Sequence, residues 1–435
     1  RAREMHYICE NAEARVAIVH HDKLEDFEAF ESAAQRAEST VVLDEFDAPS
    51  ASDDGRRSFA TLTEETRPPG QHETAPEDPV LICYTSGTTS TPKPVLLSHL
   101  NEVYSAVNYA EIWGLAPGDR AIVCMPLAWA YGLSTTSMSL LSAGSTVLLR
   151  RRFHPVEVLT AIEAERATIF YGTMSMYTKM LDVLSRQQHD LSSLRFCVNG
   201  GEACPDGAVR AFQEFTGLRP IQAYAASEAK PLLAVRADDA EAPFNSSGRV
   251  VADAKVRLLD EGGAEVAVGE VGEAEVWCPG LMLGYWREPE MTAQKLSADG
   301  WLQTGDLLVE DARGYFRVVG RRSEMIIRSG ANIAPAEVAS AIMSHPAATD
   351  VGVVGIPDAQ SGEAVVALVV SAPNEVLDAE ELHAHLADIL APYKLPSHII
   401  VTDELPTSAN GKADRTALRE RALALLATGE ARSAS

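Results

Sequence analysis

The sequence predicts an α/β fold, and three observations carry that prediction. Strand-like apolar runs alternate with helical patterns along most of the 435 residues. Hydrophobic residues make up 46% of the chain, enough to bury a large core in two or more domains. Between residues 245 and 319 the rhythm changes to short strands separated by Gly, Asp and Pro, as in a small β subdomain.

Taken in order, "ARVAIVH" and "STVVLDE" read as short buried strands flanking a helical pattern near Asp26–Ala37. Residues 48–78 are polar and rich in Pro and Gly, an exposed connection. From Pro79 to about Leu233, the strands "RAIVCMP", "STVLLR", "ATIFYG", "LRFCVNG" and "RPIQAYA" alternate with helices, of which Pro155–Arg166 and Asp206–Thr216 are the clearest. That is the rhythm of a layered sheet with function at its strand ends. Short strands follow at Lys255–Leu259, Gly272–Trp277 and Tyr315–Val319. After Gly320-Arg321 the βα pattern resumes on a smaller scale, with helices near Pro335–Ser344, Asp378–Leu390 and Arg415–Leu426. The expected organisation is a large N-terminal domain over 1–320, made of layered βα sheets plus the small β subdomain. A hinge at 321–324 and a small α+β C-terminal domain over 325–435 complete it.

Charge and cysteine usage exclude several classes. The 62 acidic and 37 basic residues give a formal charge of −25, with no basic stripe, so nucleic acid and anionic membranes are not expected partners. No apolar run is long enough for a membrane span. The N-terminus has mixed charge and no apolar core of a signal peptide, so no secretory signal is expected. The six cysteines lie far apart with no C-x-x-C pair, so free buried thiols in a reducing, cytoplasmic setting are expected instead of zinc or disulfides. Oligomeric state is not legible.

The stretch "YTSGTTSTPKPVLLSH" (Tyr84–His99) is the chemically suggestive one. A turn of Gly, Ser and Thr after a buried strand points several N–H and O–H donors into one cavity, and Lys93 adds a positive charge; phosphate oxygens want both. It is not a Walker loop, because Lys93 stands between Pro92 and Pro94. Taken alone, the stretch reads equally as a polar surface loop.

The segment resembles the phosphate loop, TSGTTGxPKG, of the adenylate-forming superfamily of acyl-CoA synthetases, luciferases and peptide-synthetase adenylation domains. Four further stretches match that family in order: "AYAASEA" (Ala223–Ala229), "WLQTGDL" (Trp301–Leu307), "GRRSEMIIRSGANIAPAEV" (Gly320–Val338) and "PTSANGKADR" (Pro406–Arg415). The pattern is nearest to stand-alone acyl-CoA synthetases.

The resemblance implies roles residue by residue. Thr85, Ser86, Gly87, Thr88, Thr89 and Lys93 would hold the β- and γ-phosphates of ATP. Tyr224 would lie against the adenine, the turn Gly201, Glu202 and Ala203 would border it, and Ser227 would join the nucleotide site. Glu228 would bind Mg²⁺, a hard cation that takes oxygen ligands. Asp306 would accept hydrogen bonds from the ribose hydroxyls, and Arg321 would reach the same nucleotide. Lys412 would be catalytic: a carboxylate attacking the α-phosphate brings two anions together, and one ammonium between them offsets the repulsion. Alone, each has a plainer explanation: a solvated turn for Lys412, a β-turn for Asp306, a helix-end charge for Glu228, core packing for Tyr224.

For the second half-reaction the small C-terminal domain, mobile about Ser323 and Glu324, would bring Ser329 and Gly330 over the cleft to line a channel for CoA. An ordinary Gly-containing loop is the alternative. The acyl pocket would be lined by Trp129, Tyr131, Gly132, Gly200 and Ala225. The stretch holding Trp129 and Tyr131 has no acid to pair an α-ammonium, so a fatty or aryl carboxylic acid is expected in place of an α-amino acid. Trp129 stands where many CoA ligases have histidine.

Several positions depart from the family pattern. Ser90 and Pro94 replace glycines of the phosphate loop, Ala225 replaces the glycine after the tyrosine, and Ser323 occupies a hinge position that is often Asp or Lys. The phosphate loop also begins unusually early, and no carrier-protein segment follows Arg415. The expected activity is an AMP-forming ligase that makes an acyl-adenylate, releases pyrophosphate and forms a thioester with CoA. A phosphopantetheinyl carrier protein is the alternative acceptor, and a non-catalytic nucleotide-binding protein is the alternative of another class.

Overall fold

The computed structural model describes residues 2–31, 39–43, 57–59, 73–85, 92–202, 206–372, 377–406, 414–428 and 432–433. The chain divides into two compact units: residues 1–101 with 282–294, and residues 102–281 with 295–435.

In the first unit, the strands Val16–His20, Ser39–Leu43 and Arg57–Ser58 pair in parallel. The strands Pro79–Thr85 and Lys93–Ser98 form an antiparallel pair, with Gly284–Tyr285 on the outer side of the second. Thr85 therefore faces Lys93 across the hairpin. The helix Ala2–Ala12, which the sequence did not announce, is held by two bonds: Tyr84 donates its hydroxyl to Asn11 Oδ1 at 2.7 Å, and Trp286 donates Nε1 to the Asn11 carbonyl at 2.9 Å. Burial first, then the nearby Tyr7 and Cys9, pushes the Tyr84 hydroxyl up to about 12. Tyr84 heads the Ser/Thr-rich stretch in sequence, but its side chain serves helix docking.

The second unit is built on a seven-stranded sheet. Its spatial order is Arg249–Val250, Ala229–Ala234, Pro220–Ala226, Phe196–Gly200, Ile169–Gly172, Arg120–Val123 and Thr146–Leu149. The last five are parallel; Ala229–Ala234 runs antiparallel to them, and Arg249–Val250 antiparallel to Ala229–Ala234. Ile169–Gly172 and Phe196–Gly200 are buried at every residue, as expected of strands covered on both faces. Period-two alternation divides their side chains between two cores. Ile122, Phe170 and Cys197 face the helices Pro155–Glu165, Met174–Leu184 and Asp206–Thr216. Ala121, Val123, Ile169, Tyr171 and Val198 face Tyr109 and Trp113, whose rings stack at 4.8 Å at the end of the helix His99–Ile112.

The N-terminal ends of three neighbouring strands are tied together by one buried carboxylate. Asp119, 2% exposed, accepts Arg195 Nη1 at 2.5 and 2.6 Å, Thr168 Oγ1 at 2.8 Å and the Ala116 N–H at 2.9 Å. Asp119, Thr168 and Arg195 precede the strands beginning at Arg120, Ile169 and Phe196.

The expected β subdomain is a four-stranded antiparallel sheet in the order Lys255–Leu259, Val271–Trp277, Leu302–Glu310, Phe316–Arg321. Residues beyond the single turn Arg322–Glu324 form a further sheet around the long pair Ala348–Asp358 and Gly362–Ser371. The helices Pro335–Ile342 and Ala379–Ala387 cover one face of it, and Arg415–Thr428 covers the other, where Leu418 lies so close that a Cβ on Gly352 would meet it at 2.8 Å. Of the cysteines, Cys83, Cys124, Cys197 and Cys278 are buried free thiols and Cys9 is half-buried; Cys204 lies outside the described residues. No described helix is long and apolar enough to cross a membrane.

Burial alone would raise the Asp119 carboxyl, but Arg195, Thr168 and the Ala116 N–H together hold it below the usual carboxylate value. A depressed carboxylate adds stability that is present above its unfolded value, about 3.9, and is lost as pH falls through the folded value. Asp119→Asn is therefore expected to lower stability at pH 7 by roughly 2 kcal/mol. In melts run down through pH 4, the wild type should lose this margin and converge on the variant.

Candidate active site

The C-terminal ends of the parallel strands are where open sheets of this kind hold ligands, and here they are shaped by glycine and one tyrosine. Tyr131 opens a π-helical stretch, Tyr131–Met138, a rare conformation associated with functional sites. Its hydroxyl shares its proton between the carbonyls of Gly172 at 3.0 Å and Val198 at 3.3 Å, bridging two adjacent strands. A Cβ on Gly200 would meet the Tyr131 ring at 2.8 Å, so glycine is required for the ring to lie there. Gly132 is equally constrained, since a Cβ would meet the Pro126 carbonyl at 2.3 Å. Trp129 is half-buried beside them in sequence, and Ala225 is exposed.

The strand Pro220–Ala226 turns back into Ala229–Ala234 through a two-residue tip, Ser227-Glu228, closed by the pairing of Ala226 with Ala229. Near it, Tyr224 donates its hydroxyl to Asp306 Oδ2 at 2.7 Å, and Arg321 Nε lies 3.1 Å from Asp306 Oδ1. Asp306 and Arg321 are also register partners on adjacent strands. Gly305 adopts φ +76°, a left-handed conformation that glycine takes without strain, and the Asp306 N–H is held by Thr304 Oγ1 at 3.0 Å. Burial raises the Asp306 carboxyl above its ordinary value; Arg321 and the Tyr224 hydroxyl oppose that, and the charge of Glu228 adds to it. Burial, then the charge of Asp306, pushes the Tyr224 hydroxyl well up.

Beside this group, Gly201 takes φ +75° and lets the chain turn at the end of Phe196–Gly200. The side chain of Glu202 accepts the Ser175 N–H at 3.1 Å and the Ser175 hydroxyl at 3.2 Å, satisfying the start of the helix Met174–Leu184. The carbonyl of Glu202 accepts Gln222 Nε2 at 3.2 Å. Glu202 was expected at the adenine; in this structure its carboxylate is engaged with a helix end, leaving its backbone to border a ligand. Ser175 and Gln222 were not singled out from the sequence, because each acts through Glu202, distant in the chain; nor was Thr304, which reads as an ordinary residue beside a Gly-Asp turn.

Thr85 and Lys93 belong to the first unit, where Lys93 is the first residue of a strand with its ammonium 6.0 Å from the centre of the Tyr285 ring. Ser86, Gly87, Thr88, Thr89, Ser90, Ala203 and Lys412 lie outside the described residues. The ends of the Lys412 segment are joined, since the Asp414 N–H donates to the Pro406 carbonyl at 3.0 Å. Ser329 (φ +53°) and Gly330 (φ +82°) form the tip of a tight hairpin between Ile326–Arg328 and Ala331–Ile333. A Cβ on Gly330 would meet nothing within 4 Å, so turn geometry accounts for this glycine. Ser323 is exposed, and Glu324 pairs with Arg415 at 2.9 Å.

The model of the AMP-binding enzyme family matches residues 1–286, and that of the AMP-binding enzyme C-terminal domain matches residues 337–412. The chain belongs to the AMP-binding, adenylate-forming enzyme family. It is 36% identical over 391 residues to an indoleacetate–CoA ligase of Aromatoleum aromaticum, covering 89% of this chain and 76% of that one. It is 39% identical over 347 residues to a feruloyl-CoA synthase of an Amycolatopsis species, covering 79% and 70%. Among solved structures, an anthranilate CoA ligase in complex with anthranoyl-AMP superposes with a TM-score of 0.89 at 29% identity, covering 98% of this chain and 82% of that one. ATP-bound MatB from Rhodopseudomonas palustris gives 0.87 at 27%, covering 97% and 82%. The family places the chain among adenylate-forming acid–CoA ligases that use ATP.

The donor set suits Mg²⁺. Glu228 is a carboxylate, a hard oxygen donor of the kind Mg²⁺ takes, and it lies close enough to Asp306 for its charge to raise that carboxyl, a repulsion that a dication would relieve. The raised value of Asp306 also fixes a sign. A carboxyl raised in the folded state contributes most below its unfolded value, about 3.9, and that contribution is lost as pH rises through the folded value. Asp306 ionised at pH 7.5 thus costs stability. Asp306→Asn is expected to melt no lower than wild type at pH 7.5, yet to bind ATP at least tenfold more weakly, a loss of about 1.4 kcal/mol. Melting curves and titration calorimetry on the same samples check both.

Proposed function

We propose that this protein activates an aromatic carboxylic acid and transfers it to CoA. In the first step a carboxylate oxygen attacks the α-phosphorus of ATP, and the bond to the bridging oxygen of the β-phosphate breaks, giving acyl-AMP and pyrophosphate. In the second, the CoA sulfur, having lost its proton, attacks the acyl carbon and AMP leaves.

The observation that carries the substrate class is the setting of Tyr131. Its ring lies on Gly200 and its hydroxyl is held by the carbonyls of Gly172 and Val198 on adjacent strands, so the wall it makes is flat, aromatic and fixed. A flat aryl acid packs well against such a surface. Indoleacetate, ferulate and anthranilate, named for relatives and neighbours, belong to the same chemical class.

The assigned roles follow the family motifs. Tyr224, Gly201, Glu202, Ala203 and Ser227 surround the nucleotide, while Asp306 takes the ribose hydroxyls and Arg321 supports it. Thr85, Ser86, Gly87, Thr88, Thr89 and Lys93 hold phosphates. Glu228 holds Mg²⁺, which neutralises phosphate charge when bound. Lys412 offsets the repulsion between the carboxylate and the α-phosphate. Turning of residues 325–435 about Ser323 and Glu324 exchanges Lys412 for Ser329 and Gly330 between the steps. A phosphopantetheinyl carrier protein is the second acceptor to test.

Carboxylate-dependent ATP–pyrophosphate exchange across aryl, fatty and amino acids tests the proposal. Exchange with aryl acids should exceed that with long-chain acids at least tenfold. Lys412→Ala should lower exchange roughly 10²–10³-fold while ATP still binds. Tyr131→Ala should weaken use of aryl acids and improve use of longer ones. Silence with every acid, in a protein that binds ATP, would sink the catalytic reading; preference for a long-chain acid would sink the aryl one. Adding CoA or a carrier protein to preformed acyl-AMP identifies the acceptor.

A further inference from the structure

The hairpin that carries Ser227 and Glu228 is anchored immediately behind its tip by a buried ion pair. Lys230 Nζ lies 2.9 Å from Glu102 Oε1, with Lys230 1% and Glu102 7% exposed. Neither atom has a further hydrogen-bond partner among the described residues. Glu102 sits in the first turn of the helix His99–Ile112, where the helix end favours a negative charge. The backbone of Lys230 is gripped as well. Cys278 Sγ donates to its carbonyl at 3.9 Å, and a Cβ on Gly280 would meet that carbonyl at 1.8 Å, so only glycine permits the approach. Ala229 bridges to Leu281 beside it.

An ion pair in such a place is an expensive way to fill space, because apolar side chains of similar volume are often as stable or more so. What a charged pair adds is registry. A one-residue slip of a strand turns every side chain to the opposite face, and a slipped Lys230 would leave two uncompensated charges in the core. The neighbouring strand pairing needs such a pin: its register is irregular between Tyr224 and Ala226, just before the tip.

We propose that Lys230 and Glu102 are positioning residues that fix the register of the Ser227-Glu228 tip and thereby set the affinity for Mg²⁺ in the complex with ATP. The inference rests on the assignment of Glu228 to Mg²⁺. Supporting residues behind a metal ligand commonly change metal affinity by roughly 10–100-fold when altered.

The test uses the full chain and three variants: Lys230→Met, Glu102→Asp, and the charge-swapped double variant Lys230→Glu with Glu102→Lys. ATP binding is measured by calorimetry over a series of Mg²⁺ concentrations, alongside melting temperature. The two single variants should need about tenfold more Mg²⁺ for half-maximal ATP binding. Their ATP affinity without Mg²⁺ should stay within about twofold of wild type. The swapped variant should move back toward the wild-type Mg²⁺ dependence. Lower melting temperatures with an unchanged Mg²⁺ dependence would overturn the proposal, leaving a purely structural pair; failure of all three variants to fold would overturn it the same way. Wild-type protein that binds Mg²⁺ and ATP but exchanges no pyrophosphate would refute adenylation and leave this inference standing. Wild-type protein that binds no ATP would refute both.

Discussion

A buried carboxylate links the parallel sheet to the antiparallel one. Asp306, 7% exposed, takes a hydroxyl from Tyr224 on the first sheet and a guanidinium from Arg321 on the strand beside it. Burying a charge is costly unless it is paired and hydrogen-bonded; Arg321 comes from the next strand of the same sheet, and Tyr224 from 82 residues away. The carboxyl nevertheless remains raised, because burial outweighs both partners and the charge of Glu228 adds to it. The arrangement links Tyr224 of the first sheet to Asp306 and Arg321 of the second.

The two edges of the parallel sheet divide the work. At the N-terminal edge, Asp119 is saturated by Arg195, Thr168 and a backbone N–H, so three strands start from one fully satisfied knot. At the C-terminal edge the strand ends finish in Gly172 and Gly200, with Tyr131 laid across them. Saturated charge suits a structural anchor, whereas incompletely compensated charge and close backbone approach suit a site that must receive a ligand. The buried Lys230–Glu102 pair places a paired anchor directly behind the Ser227-Glu228 tip at the second edge.

The glycines illustrate why motif letters alone do not assign roles. Gly200 is required by an aromatic ring at its surface and Gly280 by a carbonyl, while Gly330 faces open space and is required by its backbone conformation. Tyr84 and Glu202 make the same point. Both stand within or beside motif stretches, yet one docks the helix Ala2–Ala12 and the other satisfies the start of Met174–Leu184. A motif states which residue types meet a ligand; it does not state which of their atoms are already engaged.

Much of the fold was legible in the sequence because it depends on local periodicity. The strands near Ile169 and Phe196, the helix Asp206–Thr216 and the antiparallel strands after residue 255 all declare themselves through which neighbours are apolar. The family was legible because five short stretches keep their order and spacing. The π-helical stretch at Tyr131 and the helix Ala2–Ala12 were not legible, since their hydrogen bonding depends on what packs against them. Nor were the partners: "SEAKPLLA" gives no sign that its lysine is buried, because Glu102 lies 128 residues away. Sequence by itself determined the periodic elements and the chemical types at the site. Only tertiary structure decided which charges are paired and which remain available to a ligand, because pairing depends on distances between residues that the chain brings together only on folding.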